Sequence, residues 1–137
     1  MDGGRLLDLC SDVLLKWRHG GRVGGYLVEQ LNQLLDSGDL RDIFCISGHS
    51  SWSFLHIKEQ SQYSVFEIKT YFLQEMLKRG LITLGTHNLS YSHTEKEIDI
   101  LLEAYHEVLP AIKRHIDRQT LLENIHCEIL KPLFKVR

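Results

Sequence analysis

Residues 64–105, SVFEIKTYFLQEMLKRGLITLGTHNLSYSHTEKEIDILLEAY, decide the fold because they contain two helix starts, one helix stop and a polar interruption. Ser64 and Glu67 have the spacing of a capping box. Apolar residues then recur every three or four positions as far as Leu77, and Gly80 suits the position just beyond a helix. The pattern predicts an amphipathic helix that begins after Ser64.

The second helix start is Thr94, which has Glu97 three residues later. An almost unbroken apolar stripe follows and reaches Ile116. We therefore predict that this helix is the longest in the chain. Pro110 lies inside it, removes one backbone hydrogen bond and predicts a kink.

Two short apolar segments lie between these helices, Leu81–Leu84 and Asn88–Tyr91. They are too short for helices and are bounded by Gly, Thr and Ser, so we predict two short strands around a loop, 85–87. Such a loop exposes the imidazole of His87 together with the amide of Asn88. The residues alone support a functional and a structural role for it equally.

The N-terminal part of the chain predicts two further helices. Apolar spacing favours a helix over residues 5–17 and another over residues 26–35, which Ser37, Gly38 and Asp39 end. The glycine-rich segment 20–25 follows a predicted helix and lacks the ending of a phosphate-binding loop. We interpret it as a break between the two helices.

Residues 41–47 and 52–57 have the composition of strands, and the turn at 47–50 predicts a hairpin. Strands and helices are mixed without regular alternation. The expected fold class is therefore α+β, with a small, mainly antiparallel sheet covered by helices on one face. After residue 118 we expect a helical turn or two and an extended tail.

Composition excludes several function classes. Sixteen Lys and Arg are scattered against 18 Asp and Glu, so no nucleic-acid partner is expected. No apolar run is long enough to cross a membrane, and the start of the chain does not have the pattern of a signal peptide. Three separated cysteines favour neither disulfides nor zinc. We expect a cytoplasmic protein without a membrane partner.

Candidate chemistry is sparse. None of the eight histidines pairs with another at helical spacing, so no metal site is expected. A carboxylate cluster at the start of the longest helix is better explained by helix capping. A small hydrolase that uses His49, His87 or Ser51 stays open, but residues 48–52 match only half of a nucleophile elbow. No catalytic residue is assigned.

One stretch resembles a known family. Residues 68–80, followed by Gly85-Thr86-His87-Asn88 and then Leu89-Ser90-Tyr91-Ser92-His93-Thr94-Glu95, are similar to the C-terminal small domain of glutamate-semialdehyde aminomutase-like class III aminotransferases. The likeness spans residues 22–137 and is most specific in its middle. It implies a fold-type I, pyridoxal phosphate-dependent enzyme, whose large domain supplies the Schiff-base lysine while the small domain closes over the substrate.

The resemblance also implies site residues and partners. It places Thr86, His87 and Asn88 on the substrate side of the active site, although aminomutases have an acid-containing loop there. None of the eight lysines of this chain has the buried strand-and-loop setting that a Schiff base needs. The chain alone is expected to bind no cofactor and to be inactive, and its implied partner is the large domain of a full-length parent.

We therefore expect three regions: residues 1–21 as the remnant of an interdomain helix, 22–118 as the small domain and 119–137 as a helical turn with a tail. On this interpretation the chain is a truncated gene product, a degenerate copy or an expression fragment. Exposed apolar helix faces predict self-association, for example as a homodimer. The alternative is a stand-alone interaction or dimerisation module without enzymatic activity.

Overall fold

The computed structural model describes residues 21–133. Helix α1 occupies residues 21–37 of this range, and the hairpin strands follow as β1, Phe44–His49, and β2, Trp52–Ile57. Helix α2 is Val65–Lys78, strand β3 is Thr86–Asn88 and helix α3 is Glu95–Asp117. A short 3₁₀ helix, Leu122–Asn124, precedes irregular chain. The predicted helix over residues 5–17 lies outside the described residues.

The three strands form one antiparallel sheet in the order β1-β2-β3. Hairpin pairing sets His49 opposite Trp52, which leaves Ser50 and Ser51 as the turn. β3 joins the free side of β2, with His87 opposite Ser53. The α+β class with a small antiparallel sheet is therefore confirmed.

Helices and sheet share one core. Side chains from α1, α2, α3 and the inner face of the sheet are buried together, and the rings of Phe72 and Tyr105 stack with centroids 6.0 Å apart. α1 is tied to α3 because the Tyr26 hydroxyl donates to Asp99 at 2.8 Å. Burial of this apolar area is the main stabilising contribution to the fold.

Both predicted capping sites form. At α2, the Ser64 N–H donates to the Glu67 carboxylate at 2.7 Å, and the Glu67 N–H donates to the Ser64 hydroxyl at 3.2 Å. Gly80 ends this helix at φ +77°, a backbone conformation that favours glycine. At α3, the Thr94 N–H donates to Glu97 at 2.8 Å. The helix continues through Pro110 without interruption.

The glycine-rich segment is not the break that the sequence predicted, because residues 21–25 are helical. A Cβ atom on Gly24 would lie 1.5 Å from the backbone oxygen of Ser50. Glycine here serves close packing of α1 against the hairpin turn. The propensity of glycine to end helices is overridden by this tertiary contact.

The predicted strand at Leu81–Leu84 is wrong, and of the predicted strand at Asn88–Tyr91 only Asn88 is in a strand. The observed strand is Thr86–Asn88, so Thr86 and His87 are in a strand where a loop was expected. Gly85 adopts φ +83°, and its carbonyl accepts a hydrogen bond from the Leu55 N–H at 2.7 Å. This contact brings the chain into the sheet immediately after Gly85. Within residues 21–133, no helix is long and apolar enough to span a membrane.

Candidate functional site

The predicted site residues Thr86, His87 and Asn88 lie on β3 but point in two directions. Side chains alternate along a strand, so Thr86 and Asn88 face outward and are exposed, whereas His87 faces the core. The expectation of an exposed imidazole is wrong, because His87 is only 4% exposed. Pairing with β2, which turns His87 inward, is the physical reason.

His87 is the centre of a buried chain of hydrogen bonds. Its Nδ1 lies 3.0 Å from the hydroxyl of Ser53, and its Nε2 lies 2.6 Å from the hydroxyl of Tyr105. The hydroxyl of Thr83 also hydrogen-bonds Tyr105. Ser53, His87 and Tyr105 are buried, so this part of the chain is shielded from water, whereas Thr83 at its end is half-buried. It joins β2, β3, α3 and the segment before β3.

Burial determines the charge states of this hydrogen-bond chain. Burial lowers the pKa of His87 to about 4, so the imidazole is neutral at neutral pH and has one donor and one acceptor nitrogen. Burial raises the pKa of Tyr105, which keeps the phenol protonated. Nε2 hydrogen-bonds Tyr105 and Nδ1 hydrogen-bonds Ser53, so both ring nitrogens have a partner. Among residues 21–133, no buried side-chain nitrogen or oxygen lacks a hydrogen-bond partner.

A cleft of about 290 Å³ lies beside β3. Apolar side chains from the segment before β3 and from α3 form much of its wall, and polar groups complete it: Leu81, Ile82, Thr83, Thr86, His87, Asn88, Leu89, His93, Glu97, Ile98 and Leu101. Hydrogen bonds from Thr94 hold the pKa of the Glu97 carboxyl below its usual value. The cleft therefore carries a negative charge at its rim and accepts neutral or cationic groups more readily than anions.

The outer face of the sheet is the second part of the site. Strand alternation and register place eight side chains there, none of them Asp, Glu, Lys or Arg: Cys45, Ser47, His49, Trp52, Phe54, His56, Thr86 and Asn88. Trp52 is 57% exposed and its ring centroid lies 5.6 Å from that of Phe54. A solvent-facing sheet surface normally carries charges, so this neutral aromatic face is typical of a docking surface.

The geometry does not support the hydrolase hypothesis. His49 Nδ1 lies 3.1 Å from the Ser51 hydroxyl, but its other polar contacts are also within the same turn. His87 pairs with Ser53, whose hydroxyl is fully buried and cannot reach a substrate. Within residues 21–133, no group of three or more potential metal ligands is present.

The sequence contained a signal for one partner of His87 and none for the other. Ser53 alternates with Trp52 and Phe54, which indicates that a small polar residue faces the core. Tyr105 lies in the apolar stripe of α3 and is indistinguishable there from an ordinary core aromatic. Its contact with His87 spans 18 residues and depends on how α3 crosses the sheet.

Comparison of the chain with protein-family models, with curated proteins and with solved structures finds no match. Assignment of function therefore depends on the site itself and on the resemblance carried by residues 68–95.

Proposed function

We propose that this chain is the small domain of a class III-type, pyridoxal phosphate-dependent aminotransferase. In this role it closes over substrate that is bound on a separate large domain. The neutral outer face of the sheet, with Trp52 largely uncovered, is the observation that carries the proposal. A small domain needs such a face where it meets a larger body.

Thr86 and Asn88 are the proposed substrate-side groups. Both are exposed on β3, at the edge of this face, and neither side chain has a hydrogen-bond partner within residues 21–133. A hydroxyl and an amide can each donate and accept, so together they suit a polar, uncharged part of a substrate. His87, whose side chain is hydrogen-bonded to Ser53 and Tyr105 in the core, holds β3 in place and so positions Thr86 and Asn88.

The cofactor is assigned to the large domain. Within residues 21–133 every lysine is exposed or half-buried, with Lys69 and Lys113 the least exposed, so none offers the enclosed amine that a Schiff base requires. When bound, pyridoxal phosphate withdraws electrons from the substrate carbon that bears the amino group. The small domain contributes orientation of the substrate and exclusion of water through the ring of Trp52.

The test begins upstream of Met1 in the genome, where the proposal predicts a reading frame for a lysine-bearing large domain. Mixing that polypeptide with this chain should restore transaminase activity that neither has alone. Absence of such a frame, or a mixture no more active than the large domain alone, would contradict the proposal.

Substitutions locate the site within that mixture. Thr86→Val and Asn88→Leu keep the shape of each side chain and remove hydrogen bonds, so each should lower kcat/KM about tenfold. Gln62→Leu, at an exposed position away from the sheet, is the matched control and should leave activity unchanged. Equal effects of all three variants would remove Thr86 and Asn88 from the site.

A further inference from the structure

The backbone of β3 has an open edge. Leu55 N–H donates to the Gly85 carbonyl at 2.7 Å, and Leu89 N–H donates to the Ser51 carbonyl at 3.1 Å. In an antiparallel pair, residues that bond the partner strand alternate with residues whose N–H and C=O groups both point away from it. Gly85, His87 and Leu89 belong to the first set. The N–H and C=O groups of Thr86 and Asn88 therefore point away from β2. Within residues 21–133, β3 pairs with β2 alone.

This edge lacks the usual protection against strand pairing. Natural edge strands are blocked by Lys, Pro, bulges or inward-pointing charges. The segment from Gly85 to Leu89 contains neither a charged residue nor proline, and its pairing with β2 is regular. An unprotected edge of this kind is suited to strand addition, in which main-chain hydrogen bonds give affinity.

The cleft beside β3 lies where alternate side chains of an added strand would point. Its wall includes Leu81, Ile98 and Leu101, and its volume of about 290 Å³ accommodates a large apolar side chain. Ile82 borders it and is 92% exposed, so that side chain is available for contact. Of the described lining residues, Glu97 is the one carboxylate, and none is Lys or Arg.

We propose that β3 accepts a fourth strand from a protein partner, with a large apolar side chain of that strand in the cleft and a Lys or Arg two residues away beside Glu97. The apolar residue matches the wall of the cleft, and the cation matches its charge. Both point to the same side of the added strand because side chains alternate. The inference concerns the edge of the sheet and does not depend on the aminotransferase proposal.

Amide hydrogen exchange of the free chain, followed by NMR, tests whether the edge is open. Thr86 and Asn88 should exchange at least about tenfold faster than His87 and Leu89, whose N–H groups face β2. Equal protection of all four amides would show that the edge is already covered and would overturn the proposal. Protection that rises with protein concentration would assign the edge to a second copy and would overturn it as well.

A synthetic peptide tests the predicted partner chemistry. In Thr-Val-Thr-Phe-Thr-Lys-Thr, with blocked ends, Val, Phe and Lys project to one side. Its addition should slow exchange at Thr86 and Asn88 and shift their signals. Replacement of Phe by Asp, or methylation of the backbone nitrogens that face β3, should abolish this effect. Lack of any change at β3 with the unmodified peptide would contradict the proposal.

Two protein variants separate the parts of the interaction. Glu97→Gln preserves a capping acceptor for Thr94 and removes the charge, so it should weaken binding of the Lys peptide about tenfold and leave a Lys→Gln peptide unaffected. Asn88→Pro removes one outward N–H and should abolish binding while the fold is retained. Binding that is unchanged in Asn88→Pro would place the peptide elsewhere.

Discussion

On the inner face of the sheet, the polar side chains of Ser53 and His87 are buried and hydrogen-bonded to each other. On the outer face, the side chains of Thr86 and Asn88 have no hydrogen-bond partner within residues 21–133. Neighbouring residues of one short strand thus have opposite roles. Satisfied buried groups hold β3 in place. Unsatisfied exposed groups remain available for a ligand or another domain, which is why we assign stability to one face and function to the other.

Substitution of Gly24, which packs closely against the hairpin turn, should give the largest loss of stability. Gly24→Val places a branched side chain where a single Cβ would already collide with Ser50, so it should lower the free energy of unfolding by more than about 3 kcal/mol. Gly25→Ala is the matched control, since a Cβ there meets no atom within 4 Å and alanine favours helix by about 0.5–1 kcal/mol. Urea unfolding measures both, and equal destabilisation would refute this packing.

Acid should lower the free energy of unfolding because it protonates the buried His87. Its pKa is about 4 in the folded chain against 6.5 when unperturbed, so the unfolded state binds more protons between these values. The contribution of neutral His87 to stability is therefore fully present above pH 6.5 and is lost as the pH is lowered through 4, by about 3 kcal/mol in total. Urea unfolding across this range should show a smaller loss for His87→Gln than for the wild type. Parallel curves for the two proteins would mean that His87 is not the titrating group.

Removal of one member of the buried hydrogen-bond chain should lower the free energy of unfolding somewhat less than protonation of His87 does. Tyr105→Phe leaves Nε2 of His87 without its hydrogen-bond partner and should lower the free energy of unfolding by about 2 kcal/mol. The variant His87→Phe combined with Tyr105→Phe removes both groups. Because the two side chains are in contact, the double variant should lose less stability than the sum of the single variants, as a double-mutant cycle of thermal or urea unfolding would measure. Additive losses would argue against it.

The outer face should tolerate change best. Trp52→Thr replaces a side chain that is 57% exposed with one that suits a strand, so the free energy of unfolding should change by less than about 1 kcal/mol. The same variant should weaken association with the large domain because an exposed aromatic anchor is lost. A loss of stability as large as that of Tyr105→Phe would erase the distinction between the two faces.

The sequence predicted the parts of this structure that local rules determine. The capping boxes at Ser64 and Thr94, the glycine stop at Gly80 and the presence of a hairpin all follow from neighbouring residues. The first hairpin strand is Phe44–His49 and not residues 41–47, and the turn is correspondingly later. Local rules failed at Gly24, where a distant backbone atom explains the glycine. They failed again at His87, because turning the imidazole inward depends on pairing with β2 and on Tyr105 from another element.

The sequence singled out the residues of the candidate site but did not predict which way their side chains point. Thr86 and Asn88 were expected on the substrate side and are exposed, and their role stays a prediction. Neither the neutral outer face nor the open edge of β3 can be derived from short segments, because both require the register of three strands that are distant in sequence. Such surfaces emerge only once the sheet is assembled.

Oxidative footprinting of Trp52 tests the central claim, that the outer sheet face docks on a large, cofactor-bearing domain. Phe66 is the internal reference because it is 43% exposed on α2, away from that face. With the proposed large domain added, the oxidation rate of Trp52 should fall about tenfold or more while that of Phe66 stays constant. Unchanged oxidation of Trp52 in an active mixture would contradict the account.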